Sequence, residues 1–267
     1  MRPGQFFHQL SFRLRHGGLP WLVQAVHHRV WPARPALGPA AAQAVQDKAG
    51  LEIGGPSRVF RPGGILPLYP RARCLDNVNY AAQTAWEGGL RAGADFTFDR
   101  TKPPGRQFLH EATDLAGLVP DSYDFILSCH CLEHVANPLA ALREWRRVTR
   151  DGGHLLLLLP DPQGTFDHRR PVTTLAHLRE DFAGGTGEDD LTHLPEILAL
   201  HDLTRDPPAG SPEQFAARGR NNAQERCLHH HVFDLALMRA ALAETGWEVL
   251  AAEAVRPIHL VALAKKK

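Results

Sequence analysis

Leu51-Glu52-Ile53-Gly54-Gly55-Pro56-Ser57 joins a short apolar run to a glycine turn, and the next apolar run ends in Cys74-Leu75-Asp76-Asn77. In an α/β sheet such glycines let the chain turn sharply after the first strand and approach a ligand, while an acid ending the second strand accepts both ribose hydroxyl protons. The pair predicts an adenosine-type cofactor; an ordinary strand-to-helix turn is the other reading of the same residues. A dinucleotide fingerprint needs Gly-x-Gly-x-x-Gly, so that a helix N-terminus can hold a pyrophosphate. Here the run is Gly54-Gly55-Pro56-Ser57-Arg58-Val59. Glu52 within the turn suits a cofactor with a cationic amino-acid end and repels pyrophosphate.

Outward from this turn, short apolar runs at 50–53, 72–75, 107–110, 123–128 and 154–159 predict five parallel strands. Leu155 to Leu159 is an unbroken leucine run, as expected of a strand covered on both faces. Between the last two runs, Leu139, Leu142, Trp145 and Val148 recur at helical spacing behind Pro138, and Asp151-Gly152-Gly153 supplies a stop before the chain re-enters the sheet. A helix over 233–246 and strands over 247–253 and 258–264 close the domain. Residues 161–226, rich in proline and polar residues, are too long for a simple connection and predict an inserted lid or substrate-binding region. The apolar pattern of 21–31, ended by Pro32-Ala33-Arg34-Pro35, predicts a helical N-terminal arm over 1–46, ahead of a main domain over 47–267.

The chain has 267 residues, 43% hydrophobic, enough for one large α/β core. Its formal net charge of +1 gives no global case for nucleic acid. Arg2, Arg13, Arg15, Arg29 and Arg34 stand in 1–46 without any acid, so that arm either packs on the domain or touches an anionic membrane surface. Four cysteines, irregularly spaced, fit a reducing cytoplasm better than a disulfide framework, and no apolar run is long enough to span a membrane.

The blocks Leu51 to Pro56, Leu75-Asp76, Ala112-Thr113-Asp114-Leu115 and Tyr123 to Val135, followed by the amphipathic helix, Arg150 to Leu156, and His231-Val232-Phe233-Asp234, together resemble class I S-adenosylmethionine-dependent methyltransferases. The resemblance spans roughly 48–160 and 229–264. It implies a doubly wound, Rossmann-like α/β fold with a seven-stranded, mostly parallel sheet, the 161–226 region inserted as a helical lid. It also implies S-adenosylmethionine as cofactor: Glu52, Gly54 and Gly55 line its methionine and ribose side, Asp76 with Asn77 its ribose, Asp114 its adenine, and Ser128 and Cys129 its methionine moiety. Pro56-Ser57 departs from the family's later glycines, which changes the path of the loop around Pro56.

The histidines, 16 in all, ask for chemistry. His130, Glu133 and His134 stand at i, i+3 and i+4 and share a face if the chain turns helically there. With His231 as distant ligand they resemble the metal patch of small-RNA 2′-O-methyltransferases, and the imidazoles would favour zinc, iron or manganese over magnesium. The alternative is a metal-free, histidine-lined pocket in which His130 is the first choice of base, His231 and His134 follow, and Glu133 orients or charge-balances a neighbour. Phe166 to Pro171 is either a solvated loop or a polar cluster for an acidic or polyhydroxylated acceptor. The expectation is a cytoplasmic methyltransferase acting at oxygen on a small-molecule or carbohydrate-like acceptor. A metal-dependent RNA 2′-O-methyltransferase and a non-catalytic cofactor-binding module are the alternatives.

Overall fold

Alternation along one strand divides the core. In the computed structural model, which describes residues 34–84 and 88–267, β6 (Thr149–Pro160) sends Leu155, Leu157 and Leu159 into one apolar cluster and Leu156 and Leu158 into another. Successive side chains of a strand point to opposite faces, so an all-leucine run needs cover on both.

The other strands are β1 (Ala49–Ile53), β2 (Cys74–Asn79), β3 (Asp95–Phe96), β4 (Gly105–Leu109), β5 (Tyr123–Cys129), β7 (Trp247–Val255) and β8 (His259–Lys266). They lie in the order β3-β4-β2-β1-β5-β6-β8-β7. β4, β2, β1, β5 and β6 run parallel, and β8, β7 and β3 pair antiparallel. The sheet thus has eight strands instead of seven; the extra one is the two-residue edge strand β3, too short to leave a periodic signal. β2 runs on to Asn79, so Asp76 does not end it.

On the first face lie α2 (Pro138–Val148) and α7 (Leu235–Glu244). α2 is started by Asn137, whose side chain accepts from Ala140 N, and it buries Leu139, Leu142, Trp145 and Val148. Trp145 is fully buried, and its indole donates to Ala112 O at 3.0 Å. Truncating it to alanine would cost about 3–5 kcal/mol. α2 stops at Val148 and β6 starts at Thr149, so Gly152 (φ 75°) lies inside the irregular start of the strand and does not cap the helix.

The second face is covered by α1 (Gly38–Val45) and by Phe60, Leu66, Leu68 and Tyr69. The compact unit holding all of this runs from Pro35 to Lys267. Residues 1–33, and with them most of the expected 1–46 arm and its arginines, lie outside the described residues; 38–45 form α1 and pack into the core. Within 161–226 the chain forms α3 (Leu175–Gly184), α4 (Leu194–Leu200), α5 (Pro212–Arg220) and α6 (Asn222–Glu225). A small cluster of Leu194, Ile197, Ala209, Phe215 and Leu228 supports it. Among the described residues no helix is long and apolar enough to cross a membrane, and the four cysteines are free thiols.

Candidate active site

The glycine turn leaves β1 at Gly54, whose φ of 79° is one that residues with a side chain rarely adopt. Gly54 N donates to Val78 O (2.8 Å), Gly55 N to Asn77 Oδ1 (3.0 Å), and Ser57 N to Glu52 Oε1 (3.0 Å) and Tyr69 Oη (2.8 Å). Pro56 has no N–H to give. The turn therefore has no amide left over for a pyrophosphate, which agrees with its missing glycine ladder.

Glu52 is fully buried beneath this turn, and its Oε2 accepts from Tyr69 Oη at 2.6 Å. Burial pushes its pKa up, and the bonds from Tyr69 and Ser57 pull against that shift. A Cβ on Gly55 would stand 2.3 Å from Glu52 Cδ. Glu52 thus shapes the turn from below.

Both oxygens of Asp76 are occupied as well: Oδ2 accepts from Tyr123 Oη at 2.8 Å and Oδ1 from Arg106 N at 2.8 Å. Asp76 lies opposite Leu51, three residues short of the strand end, whereas ligands of such sheets sit outside the carboxyl ends. The residue at that end is Asn79, which with Asn77 and Gln107 makes an amide network around Gly55 O. Asp114 is exposed, and its Oδ1 accepts from Ala116 N. Glu111, two residues beyond β4, stands at the carboxyl edge in its place, gripped by Arg226 in a two-pronged ion pair (2.7 and 3.1 Å). Arg226 also lies 4.8 Å over the Tyr80 ring. Gly54, Gly55, Asn79, Tyr80 and Glu111, the last neutralised by Arg226, make an uncharged edge. That donor set fits a ligand bearing hydroxyls and amines.

At the end of β5, Ser128 is buried beside Ile53, and burial pushes the Cys129 and Cys131 thiols up, Cys131 to about 12. His130 has a left-handed backbone (φ 51°), with its N donating to Leu158 O. The chain then forms a tight 3-10 turn over Leu132–His134 instead of an α-helix, so the i, i+3, i+4 face does not arise. His130 instead meets His259, Nε2 to Nδ1 at 3.0 Å. Burial, helped by the nearby His259 and His229, holds His130 down at about 3. Burial, with the neighbouring His229, holds His134 well below the ordinary histidine value as well, so this shift does not separate the two as bases.

Glu133 and His134 are joined by His229. Glu133 is 1% exposed, neither of its carboxylate oxygens has a hydrogen-bond partner, and Oε1 lies 4.0 Å from Nε2 of both His134 and His229. Burial pushes Glu133 up to about 7. His134 donates from Nδ1 to Leu228 O (3.0 Å), which leaves the lone pair of the neutral ring on Nε2. His229 Nδ1 meets Asp167 Oδ2 at 2.5 Å. Burial opposes the Asp167 charge, yet His229 and the buried Arg170 hold its carboxyl down at about 2. The backbone N of His231 reaches Glu133 O (3.5 Å), but its ring turns away to Ala136 O and to His177, Asp181 and His193.

Two residues of this region, Asn79 and Glu111, are not singled out by the sequence; Asp167 belongs to the 166–171 cluster and His229 to the run of three histidines at 229–231. Only the register of β1 on β2 reveals Asn79, because Gly54 pairs with Val78 and fixes where the edge lies. Glu111 follows β4 directly, and proximity to the strand end was the available signal. The cluster at 166–171 is divided: Asp167 and Arg170 are buried, while His168 and the exposed Arg169 both bind Asp202.

Comparison with known proteins gives a family match. Residues 33–252 match the model of a methyltransferase domain. Among solved structures, the chain is similar to an S-adenosylmethionine-dependent methyltransferase from Methanosarcina mazei, at 17% identity over 85% of this chain and 97% of that one, with a TM-score of 0.48. It is also similar to one from Mesorhizobium loti, at 14% identity over 87% and 98%, again with a TM-score of 0.48. No curated protein matches the sequence.

Proposed function

The chain belongs to the methyltransferase-domain family, and from that membership we propose that it methylates an oxygen of a small, polar, carbohydrate-like acceptor, with His134 and Glu133 removing the acceptor's proton. S-adenosylmethionine, the methyl donor, supplies a methyl group already activated on a sulfonium, so the protein has mainly to align the acceptor and take its proton. Gly54, Gly55, Asn79, Tyr80 and Glu111 are the residues we assign to holding it.

One observation carries the choice of base: a buried carboxylate, Glu133, with no hydrogen-bond partner of its own, set 4.0 Å from two imidazole nitrogens. A buried acceptor left unsatisfied is costly and marks a functional site. The His134 side chain is 15% exposed against 1% for Glu133. His134 Nε2 is thus the atom that meets the acceptor, and Glu133 behind it offsets the charge the ring gains. His130 stands by as a neutral side chain that shapes the site. The near-zero net charge supports a small acceptor over nucleic acid, as does the pairing of Arg170 and Arg226 with carboxylates.

The test is a comparison of Glu133→Gln, His134→Gln and His130→Gln against a panel of hydroxylated acceptors, with calorimetry for S-adenosylmethionine. The first two lose at least ~100-fold in turnover while the cofactor Kd stays within about threefold; His130→Gln loses far less. Full turnover in His134→Gln would overturn the base assignment, and a wild-type protein that binds no S-adenosylmethionine would overturn the reading as a whole.

A further inference from the structure

Among the described residues two groups of side chains are placed to hold a metal ion: Glu133, His134 and His229, and a second group apart from them. His177 and Asp181 stand one turn apart on α3, His193 directly precedes α4, and His231 lies on the segment leading to α7. Each offers one ligand atom, and these atoms all lie within 4.8 Å of one another. We propose that His177, Asp181, His193 and His231 form a closed four-ligand site for a zinc-class divalent cation, which ties the inserted region to the segment carrying His229.

Two of the distances lie a little outside the edge length of a zinc tetrahedron. Bonds of ~2.0–2.1 Å to zinc place neighbouring ligand atoms about 3.3 Å apart. Here His177 Nε2 is 3.4 Å from Asp181 Oδ2, and His231 Nε2 is 3.6 Å from the same oxygen. His177 Nε2 and His193 Nε2 are 2.9 Å apart, which one N–H···N bond also explains. That bond alone leaves two buried atoms unsatisfied: Asp181 Oδ2 and His231 Nδ1 have no hydrogen-bond partner, on residues 8% and 1% exposed. A cation coordinated by Asp181 Oδ2 satisfies the buried oxygen.

An outer shell is present as well. Thr186 Oγ1 donates to Asp181 Oδ1 (3.1 Å), the kind of second contact that orients a ligating carboxylate. Three imidazoles with one carboxylate suit zinc and its borderline neighbours, and suit calcium or magnesium poorly. Four protein ligands leave no open position, so the ion's role is structural. His177, 34% exposed, gives it a way in.

The test uses the full chain, freed of metal by chelation, and Co(II) or Zn(II) as probe. We expect one equivalent of Co(II) bound with the visible bands of a tetrahedral ion, and a rise in Tm on adding Zn(II). His177→Gln combined with His193→Gln, both partly exposed and so compatible with folding, removes the bands and weakens Zn(II) binding at least ~100-fold. His229→Gln leaves stoichiometry and bands in place. Absence of a tetrahedral Co(II) complex, or one that survives the double variant, would overturn the proposal.

Discussion

Asp167 Oδ2 stands 2.5 Å from Nδ1 of His229, and this contact decides which nitrogen of the ring faces Glu133. The same carboxylate is bound by Arg170, which is 1% exposed at its side chain and also donates to the carbonyls of His229 and His230. Asp167→Asn keeps the shape and removes the charge from a buried pair. Breaking such a pair costs about 3–5 kcal/mol. Chemical denaturation should show a loss of that order, and turnover should fall with it even at temperatures where the variant is folded.

The carboxyl-edge assignment separates two acids. Glu111→Gln should weaken S-adenosylmethionine binding about tenfold or more, because it breaks the two-pronged pair with Arg226 that fixes the side chains at the strand ends. Asp76→Asn should leave that affinity nearly unchanged and lower Tm, since Asp76 serves Tyr123 and Arg106. Calorimetry and thermal melts on the two variants check both halves. The reverse pattern would restore Asp76 as the ribose ligand.

Gly55 is the most constrained position of the turn. Gly55→Ala places a methyl 2.3 Å from Glu52 Cδ and 2.7 Å from Asn77 Oδ1. Both neighbours are buried and hydrogen-bonded, so neither can move cheaply. Destabilisation of about 1–3 kcal/mol is expected, with weaker cofactor binding, read by urea titration and calorimetry.

The His130 and His259 pair sets a stability trend with pH. Burial lowers both, to about 3 and about 4, below the ordinary histidine value near 6.5. Between those limits the unfolded chain binds protons that the folded one refuses, so stability is full above about 6.5 and falls as pH drops toward 3 to 4. Tm should decline from pH 7 to pH 5, and His259→Gln should flatten that slope. An unchanged slope would mean other groups govern it.

The strand and helix pattern was legible because it is local. The five leucines and the 139/142/145/148 spacing each fix an element from neighbouring residues alone. The site was less legible because tertiary pairing decides it. The sequence points to Asp76, and the Gly54 to Val78 bond places the edge at Asn79. Among three consecutive histidines, only packing directs His229 to Glu133, His230 to Asn222 and His231 to Asp181. The helical face expected of His130, Glu133 and His134 does not form because His130 is left-handed and the chain then makes a 3-10 turn over Leu132–His134.

The self-contained hydrogen bonding of residues 54–57 bears on the thermodynamics of recognition. A loop whose every N–H is already partnered has little conformational freedom left to lose, so a ligand settling on it meets a surface ordered in advance. Affinity at this edge then comes from complementarity of shape and from the side chains of neighbouring strands, with almost no entropic penalty for arranging the turn itself.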